Sequence, residues 1–438
     1  MNSITWTIFN FYKRLRKLFV VSQMIIQNQT SLYPNIVTDF ERDFASMIGV
    51  THAATMSNGT SGLEAAFFAL GVGPGDEVIA PSYTIHSTFS PVLILGATVR
   101  FADINPDTLT IDPEEVERLV TERTKAIVVV HIWGNPVNMD GIMDISKRYY
   151  LKVIEDCSHC HGARWGDKVL GSIGDIGVFS LQQSKPVSAG EGGIVVTQSA
   201  DLLDRMLAYG HQGRRVSGTL REEIQTNFFP GTGTGRKCRA HPIGIALARV
   251  DLDTLSVYNK LHSEAWKFVS QVLSRSSVLK VQTPQPGGTM AGYCFGAAVN
   301  LVHPGFTPEE VIKILHSCGL MVKRRMHKPN HHWPHIYDRH YRDTHLLGEI
   351  VEPEPIPYLP YTERALTHVM FFPLQQFARR SNRNRLNKAV TKLQSEAESR
   401  HNREYSEENS NVSAEQQQSD SVVSKSFQST GTSTGRSQ

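Results

Sequence analysis

Three short segments hold residue types that can do chemistry together. Lys185 follows an apolar run, IGVFSL (176–181), and precedes the glycine turn GEGG (190–193). A lysine held at a half-buried strand end can lose its charge and act as nucleophile or base. Asp156 closes another apolar run, KVIED (152–156). A carboxylate at a strand's carboxyl end lies where α/β folds bind ligands, and its burial demands a cationic or hydrogen-bonding partner. The third segment, SNGTSG (57–62), runs straight into the helical pattern LEAAFFAL. There Gly59 permits close backbone approach, and Thr60 and Ser61 bring hydroxyls. A helix start adds free N–H groups and a positive dipole, which together cradle phosphate. Ser180 adds a hydroxyl on the strand that leads to the lysine. Taken singly, each has a plainer explanation: a solvated lysine, a turn aspartate, a helix N-cap.

Jointly they are the parts of a pyridoxal 5'-phosphate (PLP) site. Such a site needs a Schiff-base lysine, an acidic partner for the pyridinium nitrogen and a phosphate cradle. They must be positioned by an alternating fold. EVIAPS (77–82), TVRFADI (98–104), KAIVVVHIW (125–133), KVIEDC, IGVFSL and GIVVTQ (193–198) read as strands. SGLEAAFFAL (61–70), PEEVERLV (113–120) and MDISKRYY (143–150) read as helices between them. That order predicts an α/β domain with a mostly parallel sheet. Ahead of it, IVTDFERDFASMI (36–48) has helical spacing, with Thr38 and Glu41 as a candidate capping box. Residues 217–236 read as a loop, 244–273 as one long bridging helix, 292–302 as a strand, and 308–319 and 382–396 as helices.

The segments SNGTSGLEAAFFALGVGPGDEVIAPSYT, RTKAIVVVHIWGNPVNMDGI, VIEDCSHCHGA and FSLQQSKPVSAGEGG resemble, in order, the signatures of the DegT/DnrJ/EryC1/StrS aminotransferases. The resemblance runs over about residues 35–395. It implies the aspartate-aminotransferase-like fold type I: a large mostly parallel-sheet domain and a smaller α+β C-terminal domain. It implies Lys185 as the Schiff-base lysine, Asp156 as the partner of the pyridine nitrogen, and Gly59, Thr60, Ser61 and Ser180 as phosphate contacts. His159 stands where the family often has Gln, near the ring face. Ile85 stands where the family usually has a stacking Phe or Trp, so either Ile85 covers the ring or the adjacent His86 takes part. Lys237, in GRKCR (235–239), replaces an Asn that reaches the neighbouring subunit's phosphate, which implies a homodimer with shared sites. The implied reaction moves an amino group from glutamate or glutamine to a keto-sugar, nucleotide-linked, in amino-sugar, polysaccharide or secondary-metabolite biosynthesis. A PLP-dependent sugar dehydratase and a non-catalytic regulatory protein are the alternatives. Dehydrating relatives lack the lysine, so Lys185 disfavours the first, and the intact Lys185, Asp156 and Ser180 set disfavours the second.

The 438 residues are 40% hydrophobic and 20% charged, which excludes a disordered or collagenous chain and allows two domains. With 45 basic and 42 acidic side chains the net charge is +3, too balanced for a nucleic-acid surface. Residues 1–38 hold four cations and no acid, so the rest is close to neutral. The expected divisions are a basic, aromatic extension (1–30), a PLP-binding domain (31–255), a small domain (256–395) and a disordered polar tail (396–438). The extension reads as lying outside the fold, with a membrane-surface helix as the lesser alternative. Five scattered cysteines and no signal-peptide order point to a reduced, cytoplasmic protein. No metal site is expected. Cys157, His159, Cys160 and His161, with Cys238 and His241, invite zinc, but Asp156 and His159 have cofactor roles there. The histidine-rich stretch 326–345, beside Lys323, Arg324 and Arg325, reads as a solvated loop. Ranked after that are a substrate-access loop that meets a diphosphate and, last, a metal site.

Overall fold

The computed structural model describes residues 3–31, 34–211, 234–300, 305–324, 328–333, 336 and 355–429. Its centre is a seven-stranded sheet of order β1–β9–β8–β5–β4–β2–β3. The strands are β1 (His52–Met56), β2 (Glu77–Pro81), β3 (Thr98–Ala102), β4 (Thr124–Val130), β5 (Lys152–Asp156), β8 (Ile176–Ser180) and β9 (Gly193–Thr197). Neighbours from β3 across to β8 pair in parallel, and only β9 is reversed, antiparallel to both β8 and β1.

The six strands read from the sequence are present, and β1 is the one not read. These strands are near-continuous apolar runs because the sheet is covered on both faces. Along β4, Ile127 and Val129 face one core while Ala126 and Val128 face the other. The first core is closed by α2 (Asn35–Ile48), α5 (Pro113–Arg118), α6 (Met139–Tyr149) and α8 (Pro242–Leu252), through Phe40, Phe44, Ile142 and Ile245. The second is closed by α3 (Gly59–Ala69), α4 (Ser90–Ile94) and α7 (Ala200–Gly210), through Phe67, Val92 and Leu207. Each fully buried Phe contributes about 1.5–3 kcal/mol of apolar burial.

The chain ahead of α2 differs from expectation. It forms α1 (Ser3–Ile26), which docks on α8 rather than lying outside the fold. Lys13 and Lys17 both reach the buried Asp251 of α8 at 2.8 Å, and Arg16 reaches Asp253 at 2.9 Å. The basic cluster therefore answers acids of the body. Asp251 also accepts from the backbone N–H of Ser188 (3.2 Å), in the loop that carries Lys185. No helix among the described residues is long and apolar enough to cross a membrane.

The candidate capping box is also corrected. α2 starts after Pro34, so Thr38 lies inside it and donates to the Asn35 carbonyl, while Glu41 accepts from the N–H and hydroxyl of Thr55 on β1.

The expected bridging helix is two helices, α8 and α9 (Leu255–Leu273). Beyond it lies an antiparallel four-stranded sheet of β10 (Leu279–Val281), β12 (Cys294–Val299), β14 (Val369–Pro373) and β13 (Lys323–Arg324). α9, α10 (Pro308–Ser317) and α12 (Arg380–Ser429) cover it around Phe295, Phe372, Leu315 and Leu386. A small sheet of β11 (Gly288–Thr289), β6 (Arg164–Trp165) and β7 (Lys168–Val169), the helix α11 (Pro360–His368) and four short 3₁₀ turns are also described. Of the tail read as disordered (396–438), residues 396–429 instead continue α12, and 430–438 lie outside the described residues. No Pro or Gly interrupts 380–429, so nothing breaks the helix that Leu386 and Leu393 anchor.

Candidate active site

The parallel strands all end at one edge, where an α/β sheet binds its ligands. Asp156 is the last residue of β5, in register with Val130 on β4 and Val178 on β8. Its side chain is buried but hydrogen-bonded: Thr88 Oγ1 donates to Oδ2 (3.0 Å) and the Ser158 N–H donates to Oδ1 (3.1 Å). Thr84 lies 2.8 Å from Thr88, hydroxyl to hydroxyl, and extends this chain. Those donors hold the carboxylate in one orientation.

The segment 57–62 starts α3 as the sequence suggests. Asn58 caps it, accepting from the Ser61 N–H at 2.8 Å, and Ser61 Oγ accepts from the Asn58 N–H at 3.2 Å. The Ser61 hydroxyl is thus spent on a capping box and does not line the cleft, unlike the phosphate contact expected of it. Gly59 and Thr60 occupy the first two helical positions, whose N–H groups have no partner inside a helix. A Cβ on Gly59 would stand 3.3 Å from Ser180 Cβ, so glycine keeps the helix start open beside that hydroxyl.

Lys185 is half-buried in the turn between β8 and β9. That turn is fixed by N–H donation from Lys185 to the Gln182 carbonyl (2.8 Å) and from Gln183 to that of Gly190 (2.7 Å). Gly59, Thr60, Asp156, His159, Ser180 and Lys185 line one cleft of about 310 Å³, within the range of about 300–1,000 Å³ usual for small-molecule sites. Ile85 is at its mouth, 48% exposed, and His86 is not among its walls. Lys237 is exposed and lies outside the cleft of its own chain.

Sequence reasoning missed Tyr293, just ahead of β12. Lys185 Nζ donates to its hydroxyl at 3.4 Å and stands 4.6 Å from its ring centre. Tyr293, His159, Trp133 and Phe371 stack in turn, with centres 4.3, 5.6 and 5.0 Å apart and planes within 13°, 12° and 19°. His159 is thereby held in a ring ladder that joins the two sheets. Nothing in GYCFGAAVNLV distinguishes Tyr293 from an ordinary strand aromatic, because its partners lie more than 100 residues away.

A second missed feature lies behind the site. Glu155 is fully buried and accepts from the N–H groups of Gly171, Ile173 and Gly174 and from His131 Nε2. Burial would raise its carboxyl, but the His131 bond and these N–H groups outweigh burial and hold it below the usual range. His131 Nδ1 accepts from the Val137 N–H, so the ring proton sits on Nε2.

The zinc candidates separate. His131, rather than His159 or His161, joins Cys157 and Cys160, and both nitrogens of His131 are already engaged. Burial pushes both thiols up. His161 packs against Phe44 and Phe179 instead, and burial pushes it down to about 3. Residues 217–233, with Arg325, His327, His335, His340 and His345, lie outside the described residues.

Comparison with known proteins fits this geometry. The sequence model of the DegT/DnrJ/EryC1/StrS aminotransferase family matches residues 16–348. The chain belongs to that family. It is an aminotransferase of fold type I, and the family is PLP-dependent. It is 30% identical over 349 residues to a putative L-glutamine:3-amino-2,3-dideoxy-scyllo-inosose aminotransferase of Micromonospora echinospora, covering 76% of this chain and 79% of that one. It is 41% identical over 215 residues to GDP-perosamine synthase of Caulobacter vibrioides, covering 49% and 56%. The solved aminotransferase from Psychrobacter cryohalolentis superposes with a TM-score of 0.76 at 25% identity, covering 87% of this chain and 97% of that chain. The residues present suit the family cofactor: open helix N–H groups beside Ser180 for an anion, and a fixed, buried Asp156 for a protonated ring nitrogen.

Proposed function

We propose that this aminotransferase moves an amino group from glutamine or glutamate to the carbonyl of a nucleotide-linked keto-sugar, for amino-sugar biosynthesis. The observation that carries the reading is the meeting of Lys185, Asp156 and the open start of α3 in one cleft. Gly59, Thr60 and Ser180 would hold the phosphate, and Asp156 would hold the proton on the ring nitrogen. His159, whose two faces are taken by Tyr293 and Trp133, would meet the cofactor with its ring edge, and Ile85 would cover the ring from the mouth of the cleft. PLP, when bound, supplies an electron-withdrawing ring that stabilises negative charge on the donor's α-carbon.

Lys185 does the proton work. Its Nζ would take the α-proton from the donor and return it on the other side of the transfer. Tyr293 orients that amine through its hydroxyl. Ser184 stands 3.1 Å from the same hydroxyl and steadies it. The exposed Lys237 is free of its own cleft and suits a contact with the phosphate of a second copy, as a homodimer with shared sites requires. The odd, scattered set of five cysteines suits a reduced, cytoplasmic setting.

The presence of Lys185 favours transamination over dehydration. The test is Lys185→Arg, which is expected to abolish turnover and change the visible absorbance of bound PLP. Full turnover with unchanged absorbance in that variant sinks the assignment. A half-reaction screen, with the amine-loaded enzyme offered a panel of nucleotide keto-sugars and keto-cyclitols, identifies the acceptor. Release of a dehydrated sugar, or no reaction with any member, counts against the reading.

A further inference from the structure

We propose that His331, His332 and Glu363 bind a zinc-class divalent cation, in a site separate from the cofactor cleft and independent of the amination reading. His331 and His332 lie on the 3₁₀ turn Asn330–His332, and Glu363 lies in the first turn of α11. His331 Nε2 stands 3.3 Å and His332 Nε2 3.5 Å from Glu363 Oε1, and ligand atoms of all three lie within 4.8 Å of one another. Zinc bonds to nitrogen and carboxylate oxygen are about 2.0–2.1 Å, so the ligand atoms of a tetrahedral site are about 3.3–3.4 Å apart. The two measured separations match that edge. Two histidines and one glutamate with an open fourth corner are a known zinc set.

The ligands are also supported from behind. Ser82, fully buried just past β2, places its Oγ 2.7 Å from His331 Nδ1, which leaves Nε2 to point at Glu363. Metal-bound histidines generally use the second ring nitrogen in this way. Asn330 fixes the turn by donating to the carbonyls of both Ser82 and Thr84 at 2.8 Å. His331 is buried, while the side chains of His332 and Glu363 are 38% and 34% exposed, so an ion can enter and a water can fill the fourth position. From the sequence the histidines of this stretch have irregular spacing. Glu363, about thirty residues on, is the ligand that completes the set. A bound ion ties the histidine turn and α11 to the Ser82–Thr84 segment, whose next residue, Ile85, is at the mouth of the cleft.

The experiment uses the full chain, freed of metal by dialysis against a chelator. It is titrated with Zn²⁺ by calorimetry and with Co²⁺ by visible absorbance. One equivalent per chain is expected, with the intense absorption of tetrahedral Co²⁺. Glu363→Gln and His332→Ala, both at partly exposed positions, should each weaken Zn²⁺ binding at least about tenfold, and Ser82→Ala by about tenfold through orientation alone. Circular dichroism confirms that the variants are folded. Absence of stoichiometric binding overturns the proposal. So does binding that survives both Glu363→Gln and His332→Ala, which assigns the ion to other histidines.

Discussion

Gly193→Ala separates the cradle from the chemistry. Gly193 opens β9 opposite both Met56 on β1 and Ser180 on β8, directly beneath the start of α3. A methyl group there would stand 2.4 Å from the Asn58 carbonyl oxygen and 2.8 Å from the Gly59 nitrogen. Carbon–oxygen contacts settle at about 3.3–3.6 Å, so the Asn58–Gly59 turn must retreat by about 1 Å. The obstacle is backbone, and no side chain can rotate to relieve it. Overpacking of this kind costs about 1–3 kcal/mol. A shift of about 1 Å in a positioning group costs up to about 10²-fold in function. The expected result is a PLP dissociation constant raised about 10- to 100-fold, read by visible absorbance during titration, with a matching loss in denaturant melts. Gly73→Ala is the control, since a Cβ there meets nothing within 4 Å, and it should leave PLP affinity unchanged. Parental PLP affinity in Gly193→Ala would refute the claim that this close approach sets the cradle.

Tyr293→Phe keeps the ring on His159 but removes the hydroxyl near Lys185. It should lower kcat by about three- to tenfold, the worth of one modest hydrogen bond, with PLP affinity unchanged; an equal loss in affinity would assign Tyr293 to binding instead. Asp251→Asn removes the carboxylate shared by Lys13 and Lys17, and should cost about 1–3 kcal/mol in denaturant melts. Parental stability there would show that α1 is not clamped. His161 is held neutral, pushed by burial from 6.5 to about 3, so it stays uncharged in the fold after the unfolded chain has protonated. Its stabilising effect is complete above about pH 6.5 and declines as pH falls toward about 3. Glu155, also lowered, loses its contribution as pH falls through its depressed folded value. His161→Leu should flatten the melting-temperature profile between about pH 6.5 and 4, and an unchanged slope would count against this account.

Much of the large domain is legible because its signals are local. The apolar runs of β2, β3, β4, β5, β8 and β9 mark a buried sheet, and their ends place Asp156 and Ser180 at one edge, with Lys185 just beyond. What escapes is set by partners distant in the chain. Glu41 reads as half of a capping box until Thr55 claims it. Ser61 reads as a phosphate ligand until Asn58 does. Tyr293 joins Lys185 across more than 100 residues, and Glu363 reaches His331 from another helix. The basic N-terminal helix reads as an appendage because Asp251, the acid that answers it, lies more than 230 residues away.

Asp251 has a consequence for motion. One carboxylate is bonded to Lys13, to Lys17 and to the Ser188 N–H, three residues beyond Lys185. Release of α1 and loosening of the lysine turn therefore draw on the same contact and behave as one cooperative opening rather than two. In hydrogen exchange, protection at Ser188 should rise and fall with protection along α1, although the helix lies outside the cleft. The mobility of the lysine turn is thus set in part from the far N-terminal end of the chain.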